Sequence, residues 1–142
     1  MSNKPYEIVE RPPTVLEHQT LWEAVGWGKV NIEMTEQSIA NSIYCVVAIS
    51  DENVIGMGRI VGDGAMYYYI QDVAVLPEYQ NLGIGKQIIE KLLHYIKDHC
   101  SGAGFVGLFA SHGKNEFYEK FGFQDHSPGM TGMFLIVGGS VK

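Results

Sequence analysis

The sequence predicts a mixed α/β domain whose sheet is mostly antiparallel and contains one parallel pair. Three observations predict it. Apolar strand-like runs follow one another across short turns between Tyr44 and Leu76, which implies an antiparallel meander. A stretch of helical period from Lys86 to Lys97 then intervenes before the next apolar run at Phe105, as the crossover between parallel strands requires. The chain, 142 residues long, 46% hydrophobic and 18% charged, fits one ordered domain spanning 1–142 with a sizeable core.

In chain order, Tyr6 to Glu10 alternates weakly and reads as a first strand ended by Pro12-Pro13. Thr14 with Glu17 has the spacing of a capping box. The helix it starts is expected to bury Leu16, Thr20, Leu21, Ala24 and Val25, and Gly26-Trp27-Gly28 stops it. A second short helix is expected over Thr35 to Ser42. Strands follow at Tyr44–Ile49, Val54–Val61 and Met66–Leu76, with turns at Asp51-Glu52-Asn53 and Gly62-Asp63-Gly64. The long helix presents Ile88, Ile89, Leu92, Leu93 and Ile96 at spacings of three and four, one buried face. Phe105–Ala110 is a further strand, Asn115–Phe121 a short helix closed by Gly122, and Phe123–Asp125 and Gly132–Val137 two final strands. The order is β-α-α-β-β-β-α-β-α-β-β.

Chemistry concentrates where the third long strand meets the long helix, at Gln80-Asn81-Leu82-Gly83-Ile84-Gly85-Lys86. A helix start leaves about four backbone N–H groups without internal partners, at the positive end of the dipole. Glycines there let a ligand oxygen approach the backbone, and phosphate is the ligand that this favours. The spacing excludes the common nucleotide motifs. A dinucleotide fingerprint needs a third glycine where Ile88 stands, and a P-loop needs glycine at Gln80 and a hydroxyl residue at Gln87.

What remains, Gln80-x-x-Gly83-x-Gly85, resembles the pyrophosphate loop of the GCN5-related N-acetyltransferases. Downstream, Asn115-Glu116-Phe117-Tyr118-Glu119-Lys120-Phe121-Gly122-Phe123 is similar to the F-Y-x-K-x-G-F signature of the same superfamily. The element order matches as well, so the resemblance runs from Tyr6 to Ile136. It implies the acyl-CoA N-acyltransferase fold, with the central parallel pair splayed apart. It also implies acetyl-CoA as cosubstrate, a primary amine of a small molecule or protein as acceptor, and no metal. Val73, Ala74 and Val75 would pair with the pantetheine arm. The amides of Asn81, Leu82, Gly83, Ile84, Gly85 and Lys86 would hold the pyrophosphate, with Gln80 at the loop's first position. Tyr118 would protonate the departing thiolate. The family's asparagine and alanine before that tyrosine are replaced by Ser111 and Lys114, so Ser111 and Asn115 are the coenzyme candidates left there.

For the general base, Asp72 is the strand candidate. A carboxylate among apolar neighbours is expected to have a raised pKa, and the competing reading is a structural contact. Glu78, His112 and a backbone-held water are the other candidates. Tyr67-Tyr68-Tyr69 and Trp27 would form an aromatic acceptor pocket or simply core. A non-catalytic acyl-CoA sensor and an enzyme for longer acyl groups are the alternative functions.

A net charge of −6, with Lys and Arg scattered, argues against nucleic acid as a partner. Cys45 and Cys100 form no C-x-x-C pair. No apolar run reaches the ~18 residues of a membrane span, and no signal-peptide pattern is visible. A cytoplasmic protein is expected, with a homodimer as the assembly to test.

Overall fold

Short turns organise the sheet. In the computed structural model, which describes residues 5–138, five strands lie side by side in chain order. They are β1 (Glu7–Val9), β2 (Tyr44–Ser50), β3 (Asn53–Gly62), β4 (Tyr67–Val75) and β5 (Phe105–Gly107). Neighbours up to β4 pair antiparallel, and β4–β5 is parallel. The β2–β3 hairpin closes at Ser50↔Asn53 with Asp51 and Glu52 both at positive φ, the backbone that a two-residue hairpin turn needs. At the next turn Asp63 Oδ1 accepts from the N–H groups of Ala65, Met66 and Tyr67. Those bonds hold its pKa below the usual carboxylate range, Tyr67's contributing most.

The helices are α1 (Val15–Ala24), α2 (Ile32–Ala40), α3 (Ile84–His99) and α4 (Asn115–Glu119). The Thr14–Glu17 capping box forms as its spacing implies. The buried face of α1 differs from the expected one. His18 and Leu21 are buried and Val25 packs behind them, while Leu16, Thr20 and Ala24 are exposed. The α2 helix starts earlier than Thr35 because Asn31 caps it, its side-chain oxygen accepting from Met34 N–H at 2.9 Å. In α3, Ile88, Ile89, Leu92 and Ile96 are buried and Leu93 is half-buried.

Cross-strand pairing tells which helix covers which face, since opposed residues share a side. Met57 and Ala74 are paired and cluster with Leu21 of α1 and Val47. Arg59, two positions along the same face, reaches Ser38 and Ser42 at α2. The intervening Gly58 faces α3: a Cβ there would lie 2.6 Å from Ile88 Cγ2 and 3.2 Å from Leu92 Cδ1. So α1 and α2 cover one face and α3 the other, and α3 lies on the glycine itself. Gly58→Ala is therefore expected to destabilise the fold by about 1–3 kcal/mol through overpacking against a stiff β-branched neighbour. A urea midpoint equal to or above the wild type's would contradict this close approach.

The chain divides into two compact units after Leu108, and the second carries α4. Strand β5 ends at Gly107, short of the expected Ala110. Phe123–Asp125 and Gly132–Val137 are not strands in the described residues. Their composition suits a strand, but a strand exists by pairing with a neighbour, and no ladder forms there.

Candidate functional site

The strand that leads to the glycine loop is irregular in a way its apolar alternation conceals. Arg59 pairs with Gln71 and Met57 with Ala74, so both Asp72 and Val73 face the single residue Gly58. This is a β-bulge on β4, with Asp72 at φ 58°. Asp is one of the residues that tolerates this left-handed conformation. The bulge changes which face the following residues occupy. Ile70 pairs with Ile60 on the α3 side, whereas Ala74 pairs with Met57 on the α1 side. Without the extra residue, Asp72 would point into the isoleucines of α3.

Instead it meets charge. Asp72 Oδ2 accepts from Arg59 Nε at 2.7 Å and lies 3.0 Å from His18 Nε2. Asp72 and His18 are buried, and the Arg59 side chain is nearly so. An ionised carboxylate only accepts, so the His18 proton facing it resides on Nε2. The other ring nitrogen, Nδ1, is buried and has no partner among the described residues. Arg59 donates further to the Ser38 carbonyl, Ser38 Oγ and Ser42 Oγ. Burial works to raise the Asp72 pKa, but the His18 hydrogen bond and the Arg59 charge outweigh it and hold the carboxyl below its ordinary range. The expectation of a raised pKa at Asp72 is thereby corrected: the His18 hydrogen bond and the Arg59 guanidinium, both supplied by distant parts of the chain, reverse the sign.

Beyond the bulge, the β4–β5 ladder is already over. Its pairs run only from Tyr67↔Phe105 to Tyr69↔Gly107, so β5 does not cover the outer edge of β4 from Ile70 to Val75. Of the expected pantetheine residues, Ala74 turns its carbonyl inward, 3.3 Å from where a Gly56 Cβ would lie. Val73 and Val75 alternate with it and face the outer edge. Gln80 folds back on this edge, Nε2 donating to the Val75 carbonyl at 3.0 Å. It braces the loop to the strand.

The loop then enters α3 through Asn81 at φ 67° and Gly83 at φ 86°. Gly83 is the N-cap, with no side chain capping the first turn and no acidic residue in it. The early amides, from Ile84 to Lys86, accordingly have no intrahelical acceptor. A Cβ on Gly83 would meet no atom within 4 Å, so the approach is open. Ile84 is buried and anchors the turn, Leu82 is exposed, and Lys86 reaches Glu90 at 3.7 Å on the surface. These residues fit a pyrophosphate: an open, positively polarised helix start that no side chain caps among the described residues. Glu78 is exposed on the short helical turn Pro77–Tyr79 between strand and loop.

In the second unit, Phe117 and Phe121 stack edge-on at 5.5 Å, as helical spacing implies. Tyr118 leaves that pair sideways, half-buried against Phe123 at 6.1 Å. Burial pushes its phenol pKa up, so it stays protonated near neutral pH. Ser111 is exposed, and Asn115 Nδ2 donates to Asp125 Oδ2 at 3.4 Å. His112 is exposed. Sequence reasoning missed His18 and Arg59. A signal for His18 existed: it lies three residues before Leu21, on the inward side of a helix whose start Thr14 fixes. Arg59 is the lone charge inside the apolar run Val54–Val61, and a cation there needs a buried partner.

Comparison with known proteins bears on this arrangement. Residues 41–125 match the family model of the acetyltransferase (GNAT) domain. A soybean (Glycine max) protein named histone acetyltransferase TAP1 is 33% identical over 84% of this chain. The chain spans 56% of that relative's length. A probable acetyltransferase from meticillin-resistant Staphylococcus aureus, of solved structure, superposes with a TM-score of 0.88 at 30% identity, covering 93% of this chain and 99% of its own. A GNAT-family acetyltransferase from Streptococcus pneumoniae gives 0.80 at 33% identity, covering 93% and 98%.

Proposed function

Because the chain belongs to the GNAT acetyltransferase family, we propose that it moves an acetyl group from acetyl-CoA to a primary amine by direct attack on the thioester. The observation that carries this reading is the uncapped start of α3, headed by Gly83 in the left-handed conformation and open to approach. Acetyl-CoA supplies an already activated acyl group, so no covalent enzyme intermediate is needed. The pyrophosphate takes the amides from Asn81 to Lys86. The pantetheine amides extend along the outer edge of β4, at Val73 and Val75. The amine nitrogen forms a bond to the carbonyl carbon, the carbon–sulfur bond breaks, and the Tyr118 phenol hands its proton to the leaving thiolate. The proton lost by the amine passes to solvent.

Acetyl-CoA is expected to raise the thermal midpoint of the wild type, by the equivalent of roughly 2.7 kcal/mol at a hundred times its dissociation constant. Gly83→Val should erase that rise. Its side chain has room within the protein but projects where the phosphates approach, and φ 86° is strained for valine. Each variant is compared with itself, with and without ligand. A folded Gly83→Val protein with the full ligand response would remove the loop from the coenzyme site.

A further inference from the structure

We propose that the buried His18–Asp72–Arg59 cluster is a positioning device for the acyl-CoA-binding edge of β4, with Asp72 acting through the strand and not on the amine. The proposal rests on the functional reading above. Its starting point is the location of the bulge. Asp72 is the residue at φ 58°, and it lies within the stretch from Ile70 to Val75 that no longer has β5 beside it. A bulge re-aims the backbone that follows it. Here the backbone re-aimed is the one that would receive the pantetheine amides.

A bulge with a non-glycine residue at positive φ persists only when its surroundings fix it. Two elements do so at one oxygen, and a third through Arg59. His18 brings α1 to Asp72 Oδ2, and Arg59 brings β3. Arg59 in turn is tied to α2 through Ser38 and to the segment just after that helix through Ser42. The bulge is thus clamped from the covered face, and the opposite edge of the strand is held at a set angle. A group that must receive a flexible arm gains from such fixed geometry, because misplacement of about 1 Å can lower a rate on the order of a hundredfold. The carboxylate is poorly suited to take a proton from an amine. It is buried, doubly engaged and held in its ionised form.

The test compares Asp72→Asn with Asp72→Ala. Asparagine tolerates positive φ and keeps an oxygen that accepts from Arg59 and His18, while alanine does neither. Calorimetry measures the affinity of each folded variant for acetyl-CoA and for the nucleotide half of coenzyme A, which lacks the pantetheine arm. The expected result is a loss of about tenfold or more for acetyl-CoA in Asp72→Ala. Affinity for the nucleotide half should stay unchanged, and Asp72→Asn should recover most of the acetyl-CoA affinity. If Asp72→Ala does not fold, His18→Leu is read the same way, with His18→Gln as the variant that restores a donor. Equal losses for both ligands, or no loss for either, would overturn the positioning role. A wild type that binds the nucleotide half but gains nothing from the pantetheine arm would overturn it too. A wild type that binds neither ligand would bring down the functional reading itself.

Discussion

Tyr118→Phe is expected to slow acyl transfer by on the order of a hundredfold or more while leaving acetyl-CoA affinity nearly unchanged. The substitution deletes one hydroxyl and keeps the ring. Edge-on contacts with Phe117 at 4.9 Å and Phe123 at 6.1 Å therefore survive, and stability should change little. What is lost is a proton donor. Burial keeps the phenol protonated, the state in which it can serve a departing thiolate. The effect should lie in kcat, since a group needed only as the carbon–sulfur bond breaks does not bind the ground state. An acceptor must first be found by screening arylalkylamines, polyamines, amino sugars and peptides. Full activity in the Phe variant would remove Tyr118 from the reaction.

Arg59→Met is expected to destabilise the protein by about 3–5 kcal/mol, the usual consequence of leaving a buried ion without its partner. Asp72 would retain only His18, and Ser38 and Ser42 would lose their shared donor. Methionine roughly fills the volume, so a cavity is not the cause. The pH dependence should change with it. The folded-state pKa of Asp72 lies below the ordinary carboxylate value. Its stabilising contribution is therefore complete above about pH 4 and is lost as pH falls through the folded value. Removing Arg59 should flatten that acid limb. Urea midpoints at several pH values read both effects, and a loss under about 1 kcal/mol would show that the pair contributes little.

Much of this architecture is legible in the sequence because it depends on local rules. The turns at Asp51 and Gly62, the Thr14 capping box, the period of α3 and the sideways exit of Tyr118 all follow from spacing. What escaped depends on partners distant in sequence. Tyr68, Ile70, Asp72 and Ala74 are all buried at a strict period of two, so the strand reads as regular. Only its register against β3 reveals the bulge. His18 was overlooked because a hydrophobic pattern counts histidine as polar, although Asp72, 54 residues away, draws it inward. The apolar run Gly132–Val137 shows the converse, a strand-like composition without a strand partner among the described residues.

The proposed acetyl-CoA site joins the Gly83 loop to the outer edge of β4 that β5 leaves uncovered. Amide proton–nitrogen correlation spectra recorded during a titration with acetyl-CoA test it most directly, residue by residue. Large shifts are expected at Asn81 to Lys86 and at Val73 and Val75, with the nucleotide half alone shifting only the loop. Saturable binding that leaves those amides in place, and shifts others instead, would contradict it.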